Sequence, residues 1–321
     1  MSEIVKNRSE LVFLYDIKDA NPNGDPMDEN KPRIDEETER NIVTDVRLKR
    51  TIRDYLYMFK EKEIFVREIE YEPGKIQDAK MRAKDFDNDP DKILEKCIDV
   101  RLFGGTIPIT ITKKDKTGKE KESGSSITLT GPVQFRMGRS LHRVEIKHIK
   151  GTGAFASQAE REQKTFRDEY ILPYSLISFY GVINENAAKT TRLTEKDVED
   201  LIDGIWNGTK NLITRSKFGQ MPRFLLRVIY NEENYHIGDL DKKIKLISDK
   251  DDKEIRDIFD VKLDITELVK TLEREKDKIK TVQLEVNNDV TFLIDDAEVK
   301  GEDLLDKLSG EISVEKLNLE N

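Results

Sequence analysis

The chain predicts an α+β fold on the ferredoxin-like β-α-β-β-α-β plan, and three observations carry that reading. An apolar, β-rich run opens the chain at Ser9 to Lys18; two stretches with helical spacing stand at residues 44–60 and 194–212; a second apolar run closes the plan at Arg223 to Tyr230. The composition agrees with a folded chain. Charged residues make up 38%, with only 17 Gly and 9 Pro in 321 residues, so the charge sits on regular elements and not on linker. The single cysteine, Cys97, allows no internal disulfide and no thiolate metal site, which fits a reducing compartment. MSEIVKNRSE has no apolar signal core, and the longest apolar stretch, Leu176 to Ile183, is less than half a membrane span. A cytoplasmic protein without a membrane partner is expected.

In chain order, the first strand leads into a loop, Asn21 to Arg40, that gathers Asn-Pro, Asn-Gly, Asp-Pro and Lys-Pro turn makers. Leu48, Ile52, Tyr55, Leu56 and Phe59 then recur on one helical face, with Thr44 as N-cap. Glu63 to Tyr71 alternates as a second strand. Gly74 to Pro90 is polar and reads as part of an insertion, and the lysine-rich Lys113 to Ser126 as an exposed loop. Ile127 to Met137 and Leu141 to Ile149 alternate as strands, residues 151–166 project as a loop or hairpin carrying Phe155, and Tyr170 to Ile183 returns as a strand. Thr194 caps a helix with Val198, Leu201, Ile202, Ile205 and Leu212 on one face. After residue 232 the sequence gives a helix over Thr266 to Ile279 and a hairpin over Val282 to Ile294, turning at Asn287-Asn288. The division is a core over 1–231, with an insertion at about 72–126 and a projection at about 150–170, and an acidic α+β extension over 232–321.

Net charge, −9 overall, averages two unlike regions. Residues 232–321 hold 15 Lys+Arg against 26 Asp+Glu, a net of −11, which leaves +2 for residues 1–231. Within that first part Gly204 to Asn231 carries Lys210, Arg215, Lys217, Arg223 and Arg227 with no carboxylate, and Val133 to Gly151 carries Arg136, Arg139, Arg143, Lys147 and Lys150 against Glu145 alone. Either stretch suits a polyanion or a solvated basic face.

Most catalytic chemistry is missing. His142, His148, His236 and Cys97 make no zinc-ligand spacing, and no phosphate-binding glycine loop follows a strand. Asp25, Asp28 and Asp35 of the first loop are the credible Mg2+ ligands for work on a phosphodiester; solvated loop carboxylates are the plainer reading. The first helix says more. Arg47, Lys49, Arg50 and Arg53 lie three and four residues apart beside its apolar stripe, near enough to converge on neighbouring phosphates, or else to pair with Asp45 and Asp54.

Seven ordered blocks lie between Ser9 and Tyr230: NPNGDP from Asn21, VTDVRLKRTIRDYL from Val43, DVRLFGG from Asp99, GPVQFRMGRSLH from Gly131, TGAFAS from Thr152, PYSLISFYGVIN from Pro173, and WNGTKNLITRSKFGQMPR from Trp206. Together they resemble the backbone subunit of the type I CRISPR Cascade, a member of the RAMP superfamily, with the type I-B branch most similar. The resemblance implies a hand-shaped protein with an RNA-recognition-motif palm, a finger insertion and a thumb hairpin. Copies would polymerise head to tail along one guide RNA (crRNA), alongside other Cascade subunits and the target DNA, with no catalytic duty and no cofactor. The RNA-backbone contacts would fall on Arg47, Lys49, Arg50 and Arg53, with Asn21 and Asn23 of the loop before them. Lys210, Arg215, Lys217 and Arg223 are further candidates, with Arg139 from the second basic stretch, and Phe155 is the thumb residue that would displace a base. Two other readings stay open: a metal-dependent RNA endonuclease of the related type III kind, working through Asp25 and Asp35, and a scaffold that binds protein alone.

Overall fold

Nine consecutive buried residues at Ser9–Ile17 place the opening strand at the centre of a sheet with both faces covered. In the computed structural model, whose described residues are 3–114, 120–152, 166–310 and 312–319 (side chains over 3–108, 124–151, 168–310 and 312–319), that sheet dominates a mixed α+β architecture. Its strands are β1 (Ser9–Ala20), β2 (Arg40–Val43), β3 (Gly138–Ser140), β4 (Phe166–Ile183), β5 (Met221–Tyr230), β6 (Ile279–Val286) and β7 (Val314–Lys316). They lie in the order β7-β6-β5-β1-β4-β3-β2, with Ile34–Asp35 beyond β2. Antiparallel register sets Leu11 opposite Gly181 of β4 and Arg227 of β5. Val133–Phe135 and Lys147–Thr152 also pair with β4.

Two helices cover one face. α1 (Asp45–Lys60) is capped by Thr44, whose hydroxyl accepts from the Arg47 amide, and α2 (Glu195–Lys210) by a capping box between Thr194 and Asp197. They approach closely because α2 turns Gly204 and Gly208, four residues apart, towards α1: a Cβ there would stand 3.1 Å from Ile52 Cγ2 and 3.0 Å from Tyr55 Cβ. Phe13, Tyr15 and Ile17 of β1 pack under these helices with Leu48, Ile52, Leu56, Leu201 and Ile205.

The opposite face is covered by the chain after residue 232. Val12, Leu14, Tyr174, Leu176, Phe224, Val228 and Tyr230 share a core with Leu240, Ile244, Ile258, Leu263, Leu268 and Phe292. Each large side chain withdrawn from water in this layer contributes about 1.5–3 kcal/mol before the entropy cost of ordering it. The tail also supplies β6 and β7 to the sheet, and β6 pairs antiparallel with β5. Residue 231 therefore stands between two neighbouring strands of one sheet.

The structure departs from the sequence expectations at four places. Residues 63–71 supply no strand to the main sheet: Glu70–Glu72 pairs only with Lys75–Ile76 in a two-stranded ribbon, and the Phe65 and Val66 amides are taken by the buried Asp99 carboxylate at 2.7 and 3.1 Å instead of by a neighbouring strand. The segment joins a small separate core of Phe65, Phe86, Ile93, Leu94, Cys97 and Val100. Lys113 to Ser126 falls on a long antiparallel hairpin, Gly104–Lys114 with Glu120–Thr130, whose intervening residues 115–119 lie outside the described ones. Leu141–Ile146 is irregular, since its turns bury His142 against the tail. Finally, Val282–Ile294 is no hairpin: β6 pairs with β5 and β7, while Thr291–Ile294 belongs to a second, four-stranded sheet. Phe155 and residues 153–165 of the expected thumb lie outside the described residues.

Candidate nucleic-acid interface

The first loop returns to the main sheet through its two asparagines. The Asn21 amide donates to the Ser216 carbonyl at 2.8 Å, tying the loop to the turn before β5. Asn23 Oδ1 accepts from both the Thr44 amide and the Thr44 hydroxyl at 2.9 Å, which fixes the start of α1. The ends of β1, α1 and β5 thus meet at one corner, a junction of residues far apart in sequence.

Arg47 and Lys217 stand at that corner. Arg47 donates to Thr51 Oγ1 at 2.9 Å, and Lys217 to Ser216 Oγ at 3.1 Å; neither forms an ion pair with a carboxylate. Burial pushes the pKa of each below its usual value, and the Arg47 charge lowers that of Lys217 further. Neither charge is neutralised by an ion pair, but Asp54 acts on Arg47 at longer range, and Asn21 and Ser216 border a pocket that also holds Asp19, Glu29, Asp168 and Glu169; two half-buried cations that repel one another gain from an anion supplied from outside. Two polar atoms beside them, Arg47 Nε and Asn21 Oδ1, are buried without a hydrogen-bond partner. The corner has the charge and the unfilled hydrogen bonding of a phosphate site.

The other basic residues of α1 are held differently. Lys49 pairs with Asp45 at 2.9 Å and Arg50 with Asp54 at 2.7 Å, the intrahelical pairing that the spacing also allowed. Arg53 reaches the fully buried Asp99 at 3.0 Å, and both Lys49 and Arg53 lie over the Phe103 ring. These side chains brace the helix against Ile98–Phe103. In the stretch before β5, Lys210 is exposed with no carboxylate partner, while Arg215 turns to Glu169 at 2.8 Å beside a pocket of about 300 Å3 lined by Asp19, Glu29, Asp168 and Glu169. Arg223 is nearly enclosed between Asp16 (2.9 Å) and Asp289 (3.1 Å) on the tail side, so its charge is spent inside the protein.

The loop aspartates are also engaged, Asp25 by Arg33, Asp28 by Lys31 and Asp35 by Arg139. Among the described residues no group of three or more His, Cys, Asp or Glu gathers as a metal site. Cys97 is buried, and that burial pushes its thiol up to about 12, far from a working nucleophile. His148 is exposed and bonded to Asp168, unlike the enclosed His142, so the two do not share a face. No helix among the described residues is long and apolar enough to cross a membrane.

One feature escaped the sequence reading. A groove of about 860 Å3 runs along β3 between the sheet and the tail, lined by Arg40, Arg136, Arg139, Lys242 and Lys245 over Ile244 and Leu246. Arg136 and Arg139 belong to the basic stretch already noted, while Arg40, Lys242 and Lys245 join them from segments distant in sequence and Asp241 stands among them.

Residues 7–266 match the family described as CRISPR-associated protein Cas7. A curated relative from Haloferax volcanii, also described as CRISPR-associated protein Cas7, is 35% identical over 325 residues, covering 94% of each chain. Among solved structures, a chain of a CRISPR RNA-guided surveillance complex is similar with TM-score 0.47 and 13% identity over 87% of this chain and 90% of its own. A chain of such a complex in a pre-nicking state gives 0.48 and 8%, over 95% and 100%. On the extent of the family match and the identity to the Haloferax protein, this chain belongs to the CRISPR-associated protein Cas7 family.

Proposed function

We propose that this protein is a non-catalytic backbone subunit of a type I CRISPR effector, which holds the guide RNA by its phosphates and leaves sequence reading to base pairing with target DNA. The observation that carries this is the pair Arg47 and Lys217, neither closed into an ion pair among the described residues, at the corner where β1, α1 and β5 meet. Phosphate contacts carry no sequence information, so a site of this kind serves any guide. Lys210 extends the same basic side. Lys49, Arg50 and Arg53 act as supports that keep Arg47 in place, and Asn21 and Asn23 position the corner.

The strand order β5-β1-β4-β3 with two helices on one face supports reading this part as an RNA-recognition-motif palm. The hairpin Gly104–Lys114/Glu120–Thr130 with its small core is then the finger, and the projection from β4 the thumb that carries Phe155. Copies packing head to tail give an open filament along the RNA, joined by other subunits of the assembly in the cytoplasm. The test is to express the protein alone, sequence the nucleic acid that accompanies it, and measure RNA binding of the wild type and of Arg47→Ala/Lys217→Ala. Bound RNA and a weaker, less salt-dependent double variant are expected. Protein free of RNA, or a double variant that binds as the wild type does, overturns the reading in favour of a protein-only scaffold.

A further inference from the structure

The turn that presents Lys217 also presents an aromatic ring, and we propose that Phe218 is a stacking platform for a base of the bound single strand. The inference rests on the phosphate site at Arg47 and Lys217. Phe218 is 66% exposed, on a turn that its surroundings hold firmly. The Lys217 amide donates to the Thr214 carbonyl at 3.3 Å, Ser216 accepts from Asn21, and Gly219 takes a φ of +81°, a conformation that glycine adopts without strain. Exposure is therefore built into the backbone. Ile213, 71% exposed, widens the apolar surface at the other end of the turn.

Among the described residues, comparison with the other exposed aromatics singles out this ring. Tyr57 is covered by the Arg67 guanidinium, 4.6 Å from its centre, and Phe59 stacks on Tyr55 at 5.2 Å. Tyr71 stands between Glu70 and Glu72, and Phe259 beside Asp257 and Asp260, where phosphates are repelled. Phe218 instead follows a lysine with no acid partner, inside a 28-residue stretch, 204–231, without a carboxylate. Bases on a strand whose phosphates are held at Arg47 and Lys217 project within reach of a ring on the adjoining residue. Stacking of this kind is indifferent to base identity, as every base has a π-face.

The experiment compares a uridylate RNA of about ten nucleotides with its abasic counterpart at one salt concentration, using the full chain. Phe218→Ala should weaken binding of the uridylate RNA by roughly 5- to 150-fold, leave the abasic RNA unchanged, and keep the salt dependence of the wild type. Phe218→Trp should restore binding. Equal losses on both RNAs, or no loss on either, overturn the proposal; a thermal melt of each variant identifies a loss caused by misfolding, and Phe218→Trp then decides alone. An Arg47→Ala/Lys217→Ala variant that binds normally while Phe218→Ala does not would strike the phosphate site and leave the base contact standing.

Discussion

Replacing Arg47 and Lys217 together by alanine tests the charge of the corner with little disturbance of the fold. The helix cap survives, because Thr44 bonds the Arg47 backbone amide and not its side chain, and the Thr51 hydroxyl keeps its bond to the Arg47 carbonyl. Neither cation closes an ion pair, so no carboxylate is abandoned, and stability should stay within about 0.5 kcal/mol of the wild type. Binding should change in a defined way. Each single-strand phosphate contact adds about 0.7 to the slope of log affinity against log salt, so losing two lowers the slope by about 1.4. Between about 50 and 200 mM salt, that difference makes the wild-type advantage roughly sevenfold larger at the low-salt end. Fluorescence anisotropy titrations of one labelled RNA across that range read it directly. Parallel lines for the two proteins would refute the assignment, whatever the absolute affinities.

Other substitutions separate supporting residues from contacts. Arg53→Ala should destabilise by about 3 kcal/mol in a urea titration, because it leaves the buried Asp99 carboxylate without its cation. Glu10 is buried in β1 and accepts from the Tyr180 and Tyr230 hydroxyls and, at 2.9 Å each, from the Ile237 and Gly238 amides. Glu10→Gln replaces a charged acceptor of four bonds by an amide whose NH2 can only donate, to the Tyr hydroxyls, so a loss of about 1–3 kcal/mol and earlier proteolysis within residues 231–238 are expected. His142 Nδ1–H donates to the Arg143 and Asp252 carbonyls, Nε2 accepts from the Leu176 amide at 3.3 Å, and the ring faces Tyr174, with Arg40 and the Asp252 and Arg143 side chains nearby; burial lowers its pKa below 6.5. Its contribution to stability is complete above the unfolded value near 6.5 and is lost as pH falls towards the folded one, so wild type should lose more than His142→Gln in denaturation at pH about 5 relative to about 7.

The helices were legible because both caps and both apolar faces are local: Thr44 with Leu48, Ile52 and Leu56, and Thr194 with Val198, Leu201 and Ile205. β1, β4 and β5 were legible as apolar runs of ample length. Residues 63–71 were not, as an alternating pattern cannot report that its amides will be taken by a carboxylate 33 and 34 residues away. The Asn287-Asn288 turn was visible, but not that the strands on either side of it would enter two different sheets. At the interface, spacing placed Arg47, Lys49, Arg50 and Arg53 together and could not tell a cation with an acid beside it from one without. For Lys49 and Arg50 the acids were in view four residues away; for Arg53 the partner lies 46 residues on. The absence of carboxylates from residues 204–231 was the available signal for Lys217.

The covered sheet face decides where a strand of RNA is able to lie. An uncovered palm of this plan stacks bases on aromatic residues of its open sheet face, and here that face does carry Tyr174, Tyr180, Phe224 and Tyr230. All four are buried, however, under the tail. Stacking two or three bases there would return about 1–3 kcal/mol each, whereas lifting the tail exposes Leu240, Ile244, Ile258, Leu263, Leu268 and Phe292 at about 1.5–3 kcal/mol of burial apiece. RNA does not win that exchange. On the proposed reading the strand passes the corner where the strands end, and there the charges of Arg47 and Lys217 would replace the sheet aromatics as the means of holding it. The tail's net charge of −11 opposes phosphate in general, while its Lys242 and Lys245 face the groove beside β3 and offset that charge locally.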